Sequence, residues 1–150
     1  MLRLAKLTDY GMVMLTAMAR EPRRHFATAA LAAGAQVSHA TAAKILKTLV
    51  RAGVLASMRG AHGGYALARP AEAISLAEVI EALEGPLGVT ECAVRSGLCA
   101  QEASCAVRGN WLALDRVLRR TLEQTSLADM TRPPVLPVAP PPTTTGEHVT

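Results

Sequence analysis

From Thr28 to Ala68 the order of residues leaves few folds open. Thr28 to Ala33 is helix-forming, Gly34 permits a sharp turn, and Ser38 can cap a following helix that runs to about Ala52, with Gly53 in the usual stop position. Two strand-like runs come next, Val54 to Met58 and Tyr65 to Ala68. They bracket the basic, glycine-rich stretch Arg59-Gly60-Ala61-His62-Gly63-Gly64, which reads as a flexible hairpin tip. Ahead of all this, Leu4 to Arg20 is apolar on most sides, so it reads as a largely buried helix that ends at Pro22. Helix, helix-turn-helix and glycine-rich hairpin, in that order, predict a winged helix-turn-helix.

The helix after Ser38 has two unlike faces. Ala42, Ile45, Leu46, Leu49 and Val50 form an inward stripe, while Thr41, Lys44, Thr48 and Arg51 recur at three- and four-residue spacing on the other side, flanked by Lys47. A helix fits the major groove of B-DNA, so Ser38, His39, Thr41, Lys44, Thr48 and Arg51 are the candidate DNA contacts. Arg59 and His62 on the wing are placed to reach an adjacent minor groove, whose negative potential attracts cations. The charge distribution agrees. Residues 1–70 carry ten Lys and Arg against Asp9 and Glu21, a net +8, whereas residues 71–150 carry six Arg against ten acids, a net −4. Double-stranded promoter DNA is the expected partner of the first half.

The only aromatic residues are Tyr10, Phe26, Tyr65 and Trp111, so the core must be built from aliphatic side chains and alanine, which points to a mainly α fold. No apolar run approaches the roughly 18 residues of a membrane span, and Asp9 and Arg20 bracket the best candidate, Tyr10 to Ala19. The N-terminus lacks the pattern of a signal peptide, so no membrane and a reducing, cytoplasmic setting are expected. Beyond Pro70, Ser75 can cap a further helix to Glu84, stopped by Gly85-Pro86, and Asn110 can cap a last helix to about Gln124. There Trp111, Leu114, Leu118 and Leu122 share one stripe, read as a dimerisation face. Six of the nine prolines fall from Arg132 onward. The expected organisation is a DNA-binding region over 1–70, a cysteine loop and dimerisation helix over 71–131, and a disordered Pro-rich tail over 132–150.

All three cysteines, Cys92, Cys99 and Cys105, lie within fourteen residues, spaced Cys-x6-Cys-x5-Cys. In a reducing compartment an odd cluster of this kind reads as a metal or redox site rather than as disulfides. A closed zinc site wants four Cys or His ligands, and this loop supplies three thiols and no His. Thiolates also hold iron–sulfur clusters, some with a non-Cys ligand at one iron, so a cluster is favoured over zinc, with bare redox thiols left open. The chain shows no paired acid and base and no phosphate-cradling glycine loop before a helix, so no enzyme is expected.

Taken together, Leu7-Thr8-Asp9-Tyr10, the wing Arg59-Gly60-Ala61-His62-Gly63-Gly64-Tyr65, the three-Cys loop and Ser126-Leu127-Ala128-Asp129-Met130 resemble the IscR/NsrR family of winged-helix regulators over about residues 1–131. Cys105-Ala106-Val107-Arg108-Gly109-Asn110-Trp111 resembles most the regulators of the SUF iron–sulfur assembly system. The resemblance implies a homodimeric repressor of iron–sulfur assembly genes, controlled by a 2Fe–2S or 4Fe–4S cluster on Cys92, Cys99 and Cys105. A nitric-oxide or redox sensor of the same fold is the alternative, and a non-regulatory iron–sulfur or zinc protein is a further one. Some members place a His ligand three residues after the last Cys, where this chain has Arg108. Others take an N-terminal carboxylate from the partner subunit, and Asp9 stands at that place, with Glu91 and Glu102 as further candidates.

Overall fold

The computed structural model describes residues 3–133, and the remainder of the expected 132–150 tail lies outside the described residues. The order of elements is α1 (Lys6–Arg20), α2 (Thr28–Gly34), α3 (His39–Arg51), β1 (Leu55–Met58), β2 (Gly64–Leu67), α4 (Leu76–Glu84), α5 (Glu91–Val94) and α6 (Arg108–Gln124). The fold is mainly α, with a winged helix-turn-helix and a two-stranded wing. The core centres on α3, whose Ala42, Ile45, Leu46 and Leu49 are buried against Met14, Leu15 and Met18 of α1, Leu31 of α2 and Leu55 of β1.

Local chemistry explains the helix boundaries. The Ser38 hydroxyl accepts the Thr41 amide at 3.1 Å and so caps α3. Ser75 and Glu78 form a reciprocal capping box at the start of α4. The turn between α2 and α3 departs from expectation. Gly34 is still helical, and the left-handed residue is Gln36, with φ 54°. The Val37 amide reaches the Ala32 carbonyl at 3.0 Å across that residue, the hydrogen-bond pattern of a glycine-type helix stop made here without glycine. Two further departures concern burial and capping. In α1 only Thr8, Gly11, Met14, Leu15 and Met18 are buried, because one face alone meets the core, and Leu7 and Val13 stay exposed. Helix α6 begins at Arg108, so Asn110 lies inside it rather than capping it.

The wing is antiparallel, with Leu55 opposite Leu67 and Ser57 opposite Tyr65. Phe26 extends the pairing, since its amide and carbonyl exchange 2.9 Å hydrogen bonds with those of Tyr65. Gly64 makes this possible. Its φ is +139°, and a Cβ there would stand 2.6 Å from the Phe26 carbonyl oxygen. The start of β2, where the chain leaves the hairpin tip, is therefore sterically determined rather than loose.

From residues 71–131, Ala71, Ile74, Val79, Leu127 and Ala128 join the same core. After α6 the chain returns along residues 71–76. The Leu76 amide donates to the Thr125 carbonyl at 2.9 Å, the Leu127 amide donates to the Ile74 carbonyl at 2.8 Å, and Ile74 and Leu127 are both fully buried. Between these anchors α6 contributes no buried residue at all.

The two glycines predict opposite stability changes. Gly64→Ala should lower the unfolding free energy by about 1–3 kcal/mol through backbone strain. Gly34→Ala, helical and facing open space, should raise it by about 0.4–1 kcal/mol. Urea unfolding of the two variants beside the parent checks both signs.

Candidate functional site

The outer face of α3 presents a row of cations. Lys44, Lys47 and Arg51 are exposed, as are Arg59 and His62 on the wing, and none of the ion pairs among the described residues involves Lys44, Lys47, Arg51 or Arg59. The neutral candidates are less free. Thr41 and Thr48 are half-buried; Ser38 and Thr41 hydroxyls bond each other at 2.9 Å, and the Thr48 hydroxyl donates to the Lys44 carbonyl at 3.0 Å. Ser38 and Thr41 are thus partly committed to building the helix, while His39 is exposed at its first turn. Lys47, which the sequence pattern places at the margin, stands on the exposed face one turn from Arg51. It becomes legible once the buried stripe is known to centre on Ile45, Leu46 and Leu49, opposite it.

The cysteine loop is held at two places by side-chain hydrogen bonds. Its entrance is pinned to α6: Asp115 accepts the Val89 amide at 3.0 Å, and Arg119 donates to the Leu87 carbonyl and to Glu81, each at 2.9 Å. Gly88 lies so close to α5 that a Cβ there would sit 2.8 Å from the Val94 backbone nitrogen. This contact seats the helical turn that carries Cys92. The second half of the loop closes on Glu102, which accepts from the Gly97 amide at 2.6 Å, the Ser96 hydroxyl at 2.9 Å and the Arg108 guanidinium at 2.5 Å. Those bonds tie the stretch before Cys99 to the first residue of α6, beyond Cys105. A cation at a helix N-terminus is unfavourable against the dipole, and Glu102 offsets it. The Nε of Arg108 is buried with no partner, so the guanidinium is held there at a cost.

Cys92, Cys99 and Cys105 are half-buried free thiols, and Cys92 Sγ lies 3.2 Å from the Thr90 hydroxyl. As soft donors on one loop they suit an iron–sulfur centre. Yet among the described residues no three His, Cys, Asp or Glu side chains are gathered as a metal site requires. A centre held by all three sulfurs would require the loop to tighten. Of the further ligand candidates, Glu102 is engaged by its three donors, whereas Asp9 on α1 and Glu91 on α5 are exposed.

A family model described as Rrf2, iron-dependent transcriptional regulator, matches residues 4–133. The chain belongs to the Rrf2 family. One Rrf2 relative, protein rrf2 of Nitratidesulfovibrio vulgaris, is 37% identical over 89 residues, 59% of either chain. The chain spans just over half the length of the curated relatives it matches. Among solved structures, CymR, the global cysteine regulator of B. subtilis, superposes with a TM-score of 0.74 at 25% identity, over 87% of this chain and 97% of that one. IscR of T. potens superposes with a TM-score of 0.67 at 24% identity, over 86% of this chain and 85% of that one. The fold is thus that of Rrf2 transcriptional regulators, a family of regulators rather than enzymes. No helix among the described residues is long and apolar enough to cross a membrane.

The Glu102 clamp has a defined pH sign. Hydrogen bonds from the Gly97 amide and the Ser96 hydroxyl, assisted by Arg108 and opposed by burial, hold its carboxyl below the usual carboxylate range. A depressed acid stabilises above its unfolded pKa of about 4.3 and loses that contribution as pH falls through the lower folded value. Protection of the Gly97 amide, judged by its exchange rate relative to an unstructured chain at the same pH, should therefore be high at neutral pH and fall as acidification protonates Glu102 below its usual range. In Glu102→Gln it should already be low at pH 7, while Val89, held by Asp115, stays protected. Equal Gly97 protection in parent and variant would remove Glu102 as the clamp.

Proposed function

We propose that this Rrf2 chain is a cytoplasmic, homodimeric repressor of iron–sulfur assembly genes of the SUF type, controlled by a 2Fe–2S or 4Fe–4S cluster at Cys92, Cys99 and Cys105. The observation that carries the reading is the seating of three free thiols on a loop fastened to α6, a helix whose apolar stripe is uncovered. Trp111 is 40% exposed, Leu114 43% and Leu118 38%. A stripe of that kind suits a second copy of the chain, and paired half-sites on DNA suit a two-fold dimer. The stripe's lack of cover in the single chain favours dimerisation over internal packing.

When bound, a cluster supplies a link among three thiolates that oxidants or iron shortage can break. The residues of this chain do the rest. Asp115 and Arg119 hold the approach to Cys92 on the middle of α6, and Glu102 with Arg108 holds the Cys99–Cys105 stretch at its start. Any tightening of the loop therefore bears on α6 at two heights. The far end of α6 is clasped to residues 74–76, and Arg69, at the end of the wing module, donates to Ala73 and to Glu78 of α4. Movement of α6 against its dimer mate would change the separation of the two α3 helices, hence the fit to paired half-sites. Asp9 of the partner subunit is the fourth ligand we propose, since Arg108 is engaged by Glu102 and Asp9 is exposed.

Purification without oxygen, with a visible spectrum and an iron and sulfide count, should give a coloured protein. Its duplex affinity should change at least tenfold on cluster removal at fixed salt, a coupling of about 1.4 kcal/mol. Equal affinities would leave a constitutive binder. Asp9→Ala should lower cluster retention without unfolding the chain. A second reading, thiol-based redox or nitric-oxide sensing, draws support from the ungathered thiols and from the likeness to a cysteine regulator. A colourless, iron-free protein whose DNA affinity follows thiol oxidation would establish it, and one zinc per chain would indicate a structural zinc site.

A further inference from the structure

Between the C-terminal half of α3 and the wing lies a small groove of about 290 Å³, lined by Lys47, Val50, Arg51, Ser57 and Tyr65. Its composition follows from the register of the hairpin. Leu55 and Leu67 are a cross-strand pair, with Leu55 buried in the core, and residues two apart on a strand share a face. Ser57 and Tyr65, the pair two positions nearer the tip, therefore continue the α3-facing side of the wing. They meet the turn of α3 that carries Lys47 and Arg51. The seat of Tyr65 is firm, because its amide and carbonyl both bond to Phe26 on one side while Ser57 stands opposite it across the wing on the other.

The groove gathers two kinds of unsatisfied donor. Lys47 and Arg51 take part in no ion pair among the described residues, and Arg51 is steered only by a 3.5 Å bond from its Nε to the Lys47 carbonyl. The Ser57 and Tyr65 hydroxyls make no hydrogen bond within the described residues. Two cations and two hydroxyls around one shallow space match a tetrahedral oxyanion with several acceptor oxygens. The space is at the small end for an organic effector. No carboxylate lines it, and the groove lies on the edge of the face that carries Lys44.

We propose that this groove is a seat for one phosphodiester group of the DNA backbone, with Lys47 and Arg51 supplying charge and the Tyr65 and Ser57 hydroxyls supplying directed hydrogen bonds. The proposal rests on the DNA-binding reading and deepens it. Base edges specify, whereas a phosphate held between recognition helix and wing sets the depth and register at which α3 enters the groove. Tyr65 is then a positioning residue for the α3 contacts, and Lys47 is part of the interface rather than its margin.

The test is duplex binding by the full chain across a KCl series, using several 30-bp duplexes of unrelated sequence. Lys47→Gln should weaken every duplex by a similar factor and reduce the slope of log K against log salt by about 0.9, the signature of one lost phosphate contact. Tyr65→Phe should weaken binding several-fold with the slope unchanged, since it removes a hydroxyl and no charge. Thermal melting of both variants, expected to match the parent, separates these effects from misfolding. An unchanged slope for Lys47→Gln, or a loss confined to one sequence, would overturn the seat in favour of no contact or of base reading. Inhibition by inorganic phosphate beyond that of KCl at equal ionic strength would overturn it in favour of a free-anion site. Parent protein with no salt-dependent duplex binding would instead remove the DNA reading itself.

Discussion

Burial of the inner face of α3 is the interaction on which the rest of the structure depends. Ile45, Leu46 and Leu49 are essentially without solvent contact, and α1, α2, β1 and α4 all pack around this helix. Each fully buried aliphatic side chain contributes about 1.5–3 kcal/mol relative to exposure. Because the helix is anchored so firmly on one side, its other side can carry unpaired Lys and Arg without a structural partner. The same rotation about the helix axis that buries Leu46 exposes Lys47. Core packing and nucleic-acid recognition are thus two consequences of one constraint.

The C-terminal half obeys a different logic. Its two ends are fixed, by α4 on the core at one side and by the return of Leu127 to Ile74 at the other, while α6 between them buries nothing. This 17-residue helix leaves Trp111, Leu114, Val117 and Leu118 exposed on one side. The cysteine loop is fastened to that helix by Asp115, Arg119, Glu102 and Arg108 rather than to the winged domain directly. A change in the shape of the loop would therefore bear first on α6. Charged clamps of this sort are weak in stability but specific in geometry.

Much of this was legible in the sequence because the relevant signals are local. Ser38 and Ser75 announce helix starts through hydroxyls that reach amides three residues on, and the glycines of the wing announce a hairpin. The three-Cys spacing announces a soft-donor loop. What was not legible depended on residues far apart in the chain. Gln36, not Gly34, takes the left-handed position, since a non-glycine residue can be held there once both flanking helices are anchored. The value of Tyr65 and Lys47 emerges only when β2 lies beside α3, eighteen residues away in sequence. Glu102, attractive as a ligand by type, turns out to be occupied by Ser96, Gly97 and Arg108.

By itself the sequence determined the identity and order of the helices other than the short α5, the two-faced character of α3, the wing, and the presence of three thiols on one loop. Each of these follows from periodicity or from a cap within a turn or two. Only the tertiary structure decided that Ile74 and Leu127 close on the same core, that α6 leaves Trp111, Leu114 and Val117 exposed, and that the three thiols are not gathered as a metal site requires while the loop is tied to α6. Those outcomes are set by long-range hydrogen bonds and by the competition of many faces for one interior, and such a competition has no local signature.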